Sequence, residues 1–119
     1  MRMPNAARKR VRSLTGVAIG GPWAARLHGA NLVLPDGEPD ELYLAPAAFV
    51  ALRGMKGIGW QSTSPDVSLR VVPHGLPDAL VSRIVGEVAV SSGAAAADLL
   101  DLGDDRSRHA AAELLGRND

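Results

Sequence analysis

The stretch from Leu76 to Val90, LPDALVSRIVGEVAV, constrains the fold more than any other part of the chain. Its apolar residues recur at intervals of three and four, which is the spacing that places side chains on one face of a helix. Those residues are Leu80, Val81, Ile84, Val85 and Val88. Pro77 is tolerated in a first helical turn, and the helix dipole favours a carboxylate at Asp78. The pattern predicts a helix over 76–90 with one buried face, although Gly86 inside it costs about 1 kcal/mol relative to alanine.

The rest of the chain up to this segment favours short strands. Residues 24–34 and 42–44 together indicate an N-terminal hairpin, with the acidic turn 35–41 at its tip. Alternating apolar and polar residues over 67–72 predict a half-buried strand. We therefore expect an α+β fold in which a small antiparallel sheet, made of the N-terminal hairpin and strand 67–72, packs on helix 76–90.

Two shorter elements complete the N-terminal half. Val17–Ile19 favours a strand that ends at the turn cluster Gly20–Gly21–Pro22. Pro46 can open a helix, PAAFVALRG, because a proline is tolerated in the first turn, and Gly54 ends it.

The C-terminal end, residues 92–116, is predicted to form a hairpin of two helices. Ser91 or Ser92 can cap the first helix and Gly103 can end it, while Asp104 or Asp105 can cap the second. Its apolar residues suit a core or an exposed docking patch, and we expect core: Leu99, Leu100, Leu102, Leu114 and Leu115. The segment DLLDLGDDRSRHAAAELLG resembles one helix-turn-helix unit of a HEAT-type repeat, which implies protein–protein interaction. Such solenoids need at least about three stacked units, and the sequence contains no second copy.

Charge divides the chain into two unequal parts. Residues 1–35 carry six cations and no acid, whereas residues 36–119 carry thirteen acids and seven cations. Four of the cations lie in the run RKRVR near the start. We therefore expect residues 1–13 to form a basic arm and residues 14–119 to form a single α+β domain.

The arm supplies the candidate binding residues, which are Arg2, Arg8, Lys9, Arg10 and Arg12. A run of like charges with little to bury stays solvated or binds something anionic. Three interpretations remain open: a loose terminus, a nucleic acid whose phosphates the guanidinium groups neutralise, and an acidic protein surface. That surface can belong to another copy of the same chain.

The sequence contains little that points to catalysis. There is no cysteine, which excludes disulfides, thiolate metal sites and cysteine nucleophiles. His28, His74 and His109 are too far apart in sequence for a local metal-binding spacing. An enzyme using His74 or His28 as an acid–base residue is therefore the lowest-ranked interpretation, and we expect no catalytic residue, metal or cofactor.

Two local patterns suggest ligands without meeting their requirements. The acidic turn that begins at Asp36 places Glu41 where a calcium loop requires glycine and Ala47 where it requires glutamate. Gly54–Met55–Lys56–Gly57 has the form of the GXXG loop of KH domains, but the residues after it favour extended structure rather than a helix. Neither pattern implies a small-molecule ligand.

The function expected from the sequence is that of a non-enzymatic, structural component of a larger assembly, in which the basic arm contacts an acidic partner. A homo-oligomer or a phage virion-type protein fits this description. The alternative is sequence-independent binding of nucleic acid through the arm. Arginine outnumbers lysine eleven to two, as is typical of a high-GC bacterium or its phages. No apolar run approaches the roughly 20 residues of a membrane span, so we expect no membrane association and a cytoplasmic or virion location.

Overall fold

The computed structural model describes residues 1–32, 40–60, 66–84 and 86–116. These residues form a five-stranded sheet with helices packed against it, a mixed α+β fold. The helices are α1 (Asn5–Arg12), α2 (Gly21–Leu27), α3 (Pro46–Arg53), α4 (Ser92–Leu102) and α5 (Asp105–Gly116). The strands are β1 (Val17–Gly20), β2 (Asp40–Leu44), β3 (Val67–Val71), β4 (Val81–Ile84) and β5 (Glu87–Val90).

The sheet is mixed, with strand order β3-β2-β1-β5-β4. β1 and β2 are antiparallel, as are β4 and β5, but β2–β3 and β1–β5 are parallel. The prediction of an antiparallel sheet is therefore wrong. The helix α2 lies between β1 and β2 in sequence, and β2 pairs with β1 on one side and β3 on the other. The predicted hairpin is therefore wrong, because residues 24–27 are helical and residues 42–44 pair with other strands. The acidic turn 35–41 lies outside the described residues except for Asp40 and Glu41, which belong to β2.

The predicted helix over 76–90 is also wrong. Residues 78–80 form one turn of 3-10 helix, and the antiparallel strands β4 and β5 follow it. The segment is rich in β-branched residues, which lose side-chain freedom in a helix and pack well on a sheet. Gly86 precedes β5 with φ 80°, a conformation that glycine adopts without strain. Its position therefore marks the turn between two strands rather than an imperfection in a helix.

The first thirteen residues, predicted to form a basic arm, contain the helix α1, which packs against the core. Ala7 and Val11 lie on one face of this helix and Met3 precedes it, and each of the three is at most 2% exposed. The backbone of Arg2 pairs with that of Gly59, and the Met1 carbonyl accepts hydrogen bonds from the start of β3. The cations of the segment lie between these apolar positions, and the structure thus separates an inner apolar face from an outer cationic one.

The C-terminal helical hairpin is confirmed as α4 and α5. The Ser91 hydroxyl accepts a hydrogen bond from the Ala94 N–H at 3.3 Å, and Gly103 ends α4 with φ 75°. The Asp104 carboxylate accepts from the Ser107 N–H at 3.1 Å at the start of α5. The expectation that its leucines are core is only half right, because Leu99 and Leu114 are buried whereas three others are exposed. The exposed three are Leu100, Leu102 and Leu115.

Candidate functional site

The cations of α1 fall into two groups, and Arg8 alone forms the inner group. Its guanidinium lies 3.3 Å from Asp40 Oδ2, contacts the Asp66 carboxylate and donates from Nε to the Met3 carbonyl at 3.0 Å. The Met3 N–H in turn donates to Asp66 at 2.8 Å. Arg8 therefore joins α1 to β2 and to the start of β3, and its charge is neutralised within the fold.

These contacts move the pKa values of the two carboxyl groups in opposite directions. Burial raises the pKa of Asp40, and the opposing effect of Arg8 and Arg12 does not cancel it. Burial acts on Asp66 in the same direction, but the Met3 N–H and Arg8 outweigh it and lower the pKa of that carboxyl. Asp66 is thus the more firmly ionised partner of Arg8.

The outer group consists of Lys9, Arg10 and Arg12, all of which are exposed. None of the three has an acid within ion-pair distance among the residues that the structure describes. They lie in the last turn of α1, where the helix dipole favours positive charge. The fold can therefore hold these three cations on its surface, which we call the cationic face.

A pocket of about 390 Å³ lies beside this face. Its apolar lining comes from β1, α2 and β2, and its charged lining from α1, β2 and β5. The residues are Ile19, Trp23, Leu27 and Leu42, together with Arg8, Arg12, Asp40 and Glu87. Arg26 lies over the Trp23 ring at 5.4 Å from its centroid, and Trp23 remains 37% exposed. The cationic face thus borders an apolar depression.

Positive charge continues along the fold on the side of Arg2. The backbone of Arg2 pairs with that of Gly59, which places Arg2 beside the loop that follows α3. Arg2, Gly59 and Arg8 all line a second, wide depression. Arg53 lies 5.8 Å from the ring centroids of both Phe49 and Trp60. Residues 54–60 contain no helical segment, so the described residues directly after the loop do not begin the helix that follows a KH-type GXXG loop.

A second polar cluster surrounds Asp98 on α4, which is 6% exposed. Its carboxylate accepts hydrogen bonds from the Gly21 N–H at 3.0 Å and from the Tyr43 hydroxyl at 2.5 Å. Arg70 lies 3.6 Å from Asp98 and 3.3 Å from Glu41, and its guanidinium is 5.3 Å from the Tyr43 ring centroid. One carboxylate thus ties α4 to α2, β2 and β3.

Burial and neighbouring charge perturb the titrating groups of this cluster. The pKa of Glu41 is raised by burial and by the nearby Asp98. Burial and the hydrogen bond to Asp98 raise the pKa of the Tyr43 hydroxyl, which therefore stays protonated and donates. Among the described residues no buried side-chain nitrogen or oxygen lacks a hydrogen-bond partner, so the cluster is best explained as a brace between elements.

The histidines suggested for acid–base chemistry lie apart from both clusters. His28 follows α2 and its Nε2 lies 2.8 Å from the Val90 carbonyl oxygen. His74 is exposed in the turn after β3. Within the described part of the chain, no group of three or more acids and histidines is placed to hold a metal ion. A search of the same residues finds no helix with the length and hydrophobicity to cross a membrane.

Of the five predicted binding residues, Arg8 and Arg12 line the pocket beside the cationic face, and Arg2 and Arg8 line the depression next to Gly59. Sequence inspection missed Trp23 and Asp98 as structural partners because their neighbours are distant in the chain. It also missed the helix α1, although the four-residue spacing of its apolar residues carried that signal. Comparison of the chain with protein-family models, with curated proteins and with solved structures finds no match in any of the three.

Proposed function

We propose that the protein is a non-enzymatic interaction component of a larger assembly, and that the cationic face of α1 binds an acidic partner. The observation that supports this is that the cations of α1 differ in their ion pairing. Arg8 is neutralised by two carboxylates, whereas Lys9, Arg10 and Arg12 are exposed and form no ion pair with a described residue. Because α1 folds onto its own domain, the binding element is a helix face and not a free tail.

The electrostatics of α1 explain why an acidic partner suits this face. Lys9 and Arg12 are three residues apart, so two exposed like charges are neighbours on the helix surface. Such a pair destabilises the helix by about 0.2–0.5 kcal/mol. A negatively charged partner relieves this repulsion and adds attraction of its own.

The test compares two variants that each lose cations from one helix. In the first, Lys9, Arg10 and Arg12 are replaced by alanine, which removes three charges from α1. The control replaces Arg106 and Arg108, two exposed cations of α5, by alanine and so removes two charges from another surface. Binding to poly-L-glutamate is measured by isothermal titration calorimetry at about 50 and about 500 mM salt.

We expect the unmodified protein and the α5 control to bind at low salt and to lose binding at high salt. The α1 variant should bind at least several-fold more weakly at low salt, because three charges have been removed from one face. Equal binding by the α1 variant and the unmodified protein would contradict the proposal, as would the absence of binding at low salt.

A second candidate is sequence-independent binding of nucleic acid through the same face, with α4 and α5 as scaffold. The continuation of positive charge from α1 through Arg2 to Arg53 favours it, since a phosphate backbone is contacted along an extended track. Trp60 is engaged by Arg53 and Phe49, so the contacts would be directed at phosphates rather than at stacked bases.

Duplex DNA as the probe separates this candidate from a protein partner. The slope of log affinity against log salt should fall by about 3 when Lys9, Arg10 and Arg12 are replaced by alanine, because each lost phosphate contact removes about 0.9. A slope that is unchanged by the substitutions would exclude nucleic acid as the ligand of this face.

A further inference from the structure

We infer that the acidic partner is a second copy of this chain, whose α4–α5 tip enters the pocket beside the cationic face. The inference rests on the proposed function, because Arg12 belongs to both the cationic face and the pocket. The tip is defined as residues 100–106, which join the two helices of the C-terminal hairpin. Three properties of the tip and the pocket support the inference: their shapes, their apolar surfaces and their opposite charges.

The tip is exposed and carries two large apolar side chains. All seven of its residues are exposed, and Gly103 ends α4 with φ 75°, so the chain turns from α4 to α5 at the surface. Leu100 is 49% and Leu102 is 55% exposed. Leu100 and Leu102 are two residues apart on α4 and so lie on different sides of the helix. Leu102, at the end of α4, is the candidate anchor for an interface, where a few buried residues supply most of the binding energy.

The pocket is concave, and its floor is apolar. Four apolar residues line it, and its volume of about 390 Å³ is at the small end of the range for ligand pockets. One of the four, Trp23, belongs to the residue types that most often dominate interface energetics. A pocket of this size and composition suits a leucine side chain with its neighbours.

The charges around the two surfaces are complementary. The tip carries three acids and one cation, which are Asp101, Asp104, Asp105 and Arg106. Arg12 is exposed at the edge of the pocket, with Lys9 and Arg10 on the same helix. Two acids also line the pocket: Asp40 is paired with Arg8, and Glu87 provides an acid for the one cation of the tip. Such rim charges set orientation and association rate more than affinity.

A contact between the tip of one copy and the pocket of another joins different surfaces, and it is therefore heterologous. The insertion of the tip into the pocket buries less area than the interface of a stable dimer, so the association is expected to be weak. Sedimentation velocity of the full chain from about 10 μM to about 1 mM at low salt covers the corresponding range of dissociation constants.

The decisive variants change one surface at a time. Leu102→Ser alters the tip and Trp23→Ala alters the pocket, and each should lower the association constant about tenfold or more. Leu115→Ser is the matched control, because Leu115 is 47% exposed but lies at the other end of the hairpin. It should associate like the unmodified protein, and circular dichroism establishes that each variant is folded.

Mixing tests whether the two surfaces contact each other. Equal amounts of the Leu102→Ser and Trp23→Ala chains should form a one-to-one dimer, since one chain retains its pocket and the other its tip. Arg12→Glu or Asp101→Arg alone should weaken association several-fold, and both changes on one chain should restore it. This pair of variants also stands in for Trp23→Ala if that chain does not fold.

Three results would overturn the inference: a monomer throughout the concentration range, undiminished association of Leu102→Ser, or no recovery in the double charge reversal. A monomeric protein that still binds poly-L-glutamate through Lys9, Arg10 and Arg12 would refute the second copy as the partner and leave the proposed function intact. A protein that neither associates nor binds poly-L-glutamate would refute both.

Discussion

Replacement of Asp98 by alanine should be one of the more damaging single changes in this protein. The substitution leaves the buried Gly21 N–H without its acceptor, which costs about 1–3 kcal/mol. It also removes the charged acceptor of the Tyr43 hydroxyl, a hydrogen bond of a kind that contributes about 1.5–3 kcal/mol. The ion pair with Arg70 adds less than about 1 kcal/mol, because that guanidinium is half exposed and screened by water.

These losses are partly offset, since an alanine does not bear the cost of burying a carboxylate. We therefore expect a net loss of about 3 kcal/mol in the free energy of unfolding. For a domain of this size that corresponds to a fall of roughly 10–15 °C in melting temperature. Asp98→Asn retains one acceptor oxygen and should lose about half as much.

Thermal unfolding followed by circular dichroism measures the effect, with Asp101→Ala as the matched control. Asp101 lies on the same helix but is exposed, so its replacement should change stability by less than about 0.5 kcal/mol. Tyr43→Phe should lose about 1.5 kcal/mol, and combining it with Asp98→Ala should cost less than the sum, because the two changes remove the same hydrogen bond. A melting temperature for Asp98→Ala within about 2 °C of that for Asp101→Ala would refute the reasoning that Asp98 braces the fold.

Three further predictions concern packing, pH and backbone conformation. Leu99→Ala should destabilise the protein by about 2–5 kcal/mol in chemical denaturation, whereas Leu100→Ala should have an effect below about 0.5 kcal/mol, because only Leu99 is fully buried. The pKa of Glu41 is raised above 4.5, so the folded state binds that proton more tightly and loses stability as pH rises through the window above 4.5. The stability of the unmodified protein relative to Glu41→Gln should therefore be greater at about pH 4 than at about pH 7, and an equal difference at both would contradict it. Gly21→Ala should destabilise, because φ is 62° and a Cβ would lie 2.7 Å from Glu41, whereas Gly93→Ala in open space at the start of α4 should be neutral or stabilising by up to about 1 kcal/mol.

Several elements could be predicted from the sequence because local chemistry defines them. The helical hairpin is bounded by the Ser91 and Asp104 caps and by Gly103, each of which acts within three or four residues. Strand β3 follows from its alternation, and α3 from a proline in its first turn and a glycine at its end. In each case the residues that specify the element lie inside it or next to it.

Residues 76–90 show where local pattern fails. The spacing of their apolar residues fits one face of a helix. In the structure, residues 81–84 form β4 and residues 87–90 form β5, because β5 pairs with β1 about seventy residues earlier in the chain. β-branched side chains tolerate a helix poorly, and Gly86 supplies the turn, so the competing structure was available locally. Strand pairing within the sheet therefore favours the two strands over the helix.

Part of the candidate site could likewise be predicted from the sequence, and part depends on contacts between distant residues. The cations of the first thirteen residues, on which the proposed binding of an acidic partner rests, were evident from the sequence. Arg8 does not belong to the exposed cations, because it pairs with Asp40 and Asp66, which lie thirty-two and fifty-eight residues further along the chain. Trp23 and Arg12 meet at one pocket because β1 and β2 place α1 and α2 beside each other.

The sequence by itself determined the α+β composition, the C-terminal helical hairpin and the separation of positive from negative charge, since each depends on residue type or on neighbours a few positions away. The tertiary structure alone decided the strand order, the carboxylates that pair with Arg8 and the partners of Asp98. Those features depend on contacts between residues far apart in the chain, and their energies exist only once the sheet has brought the elements together.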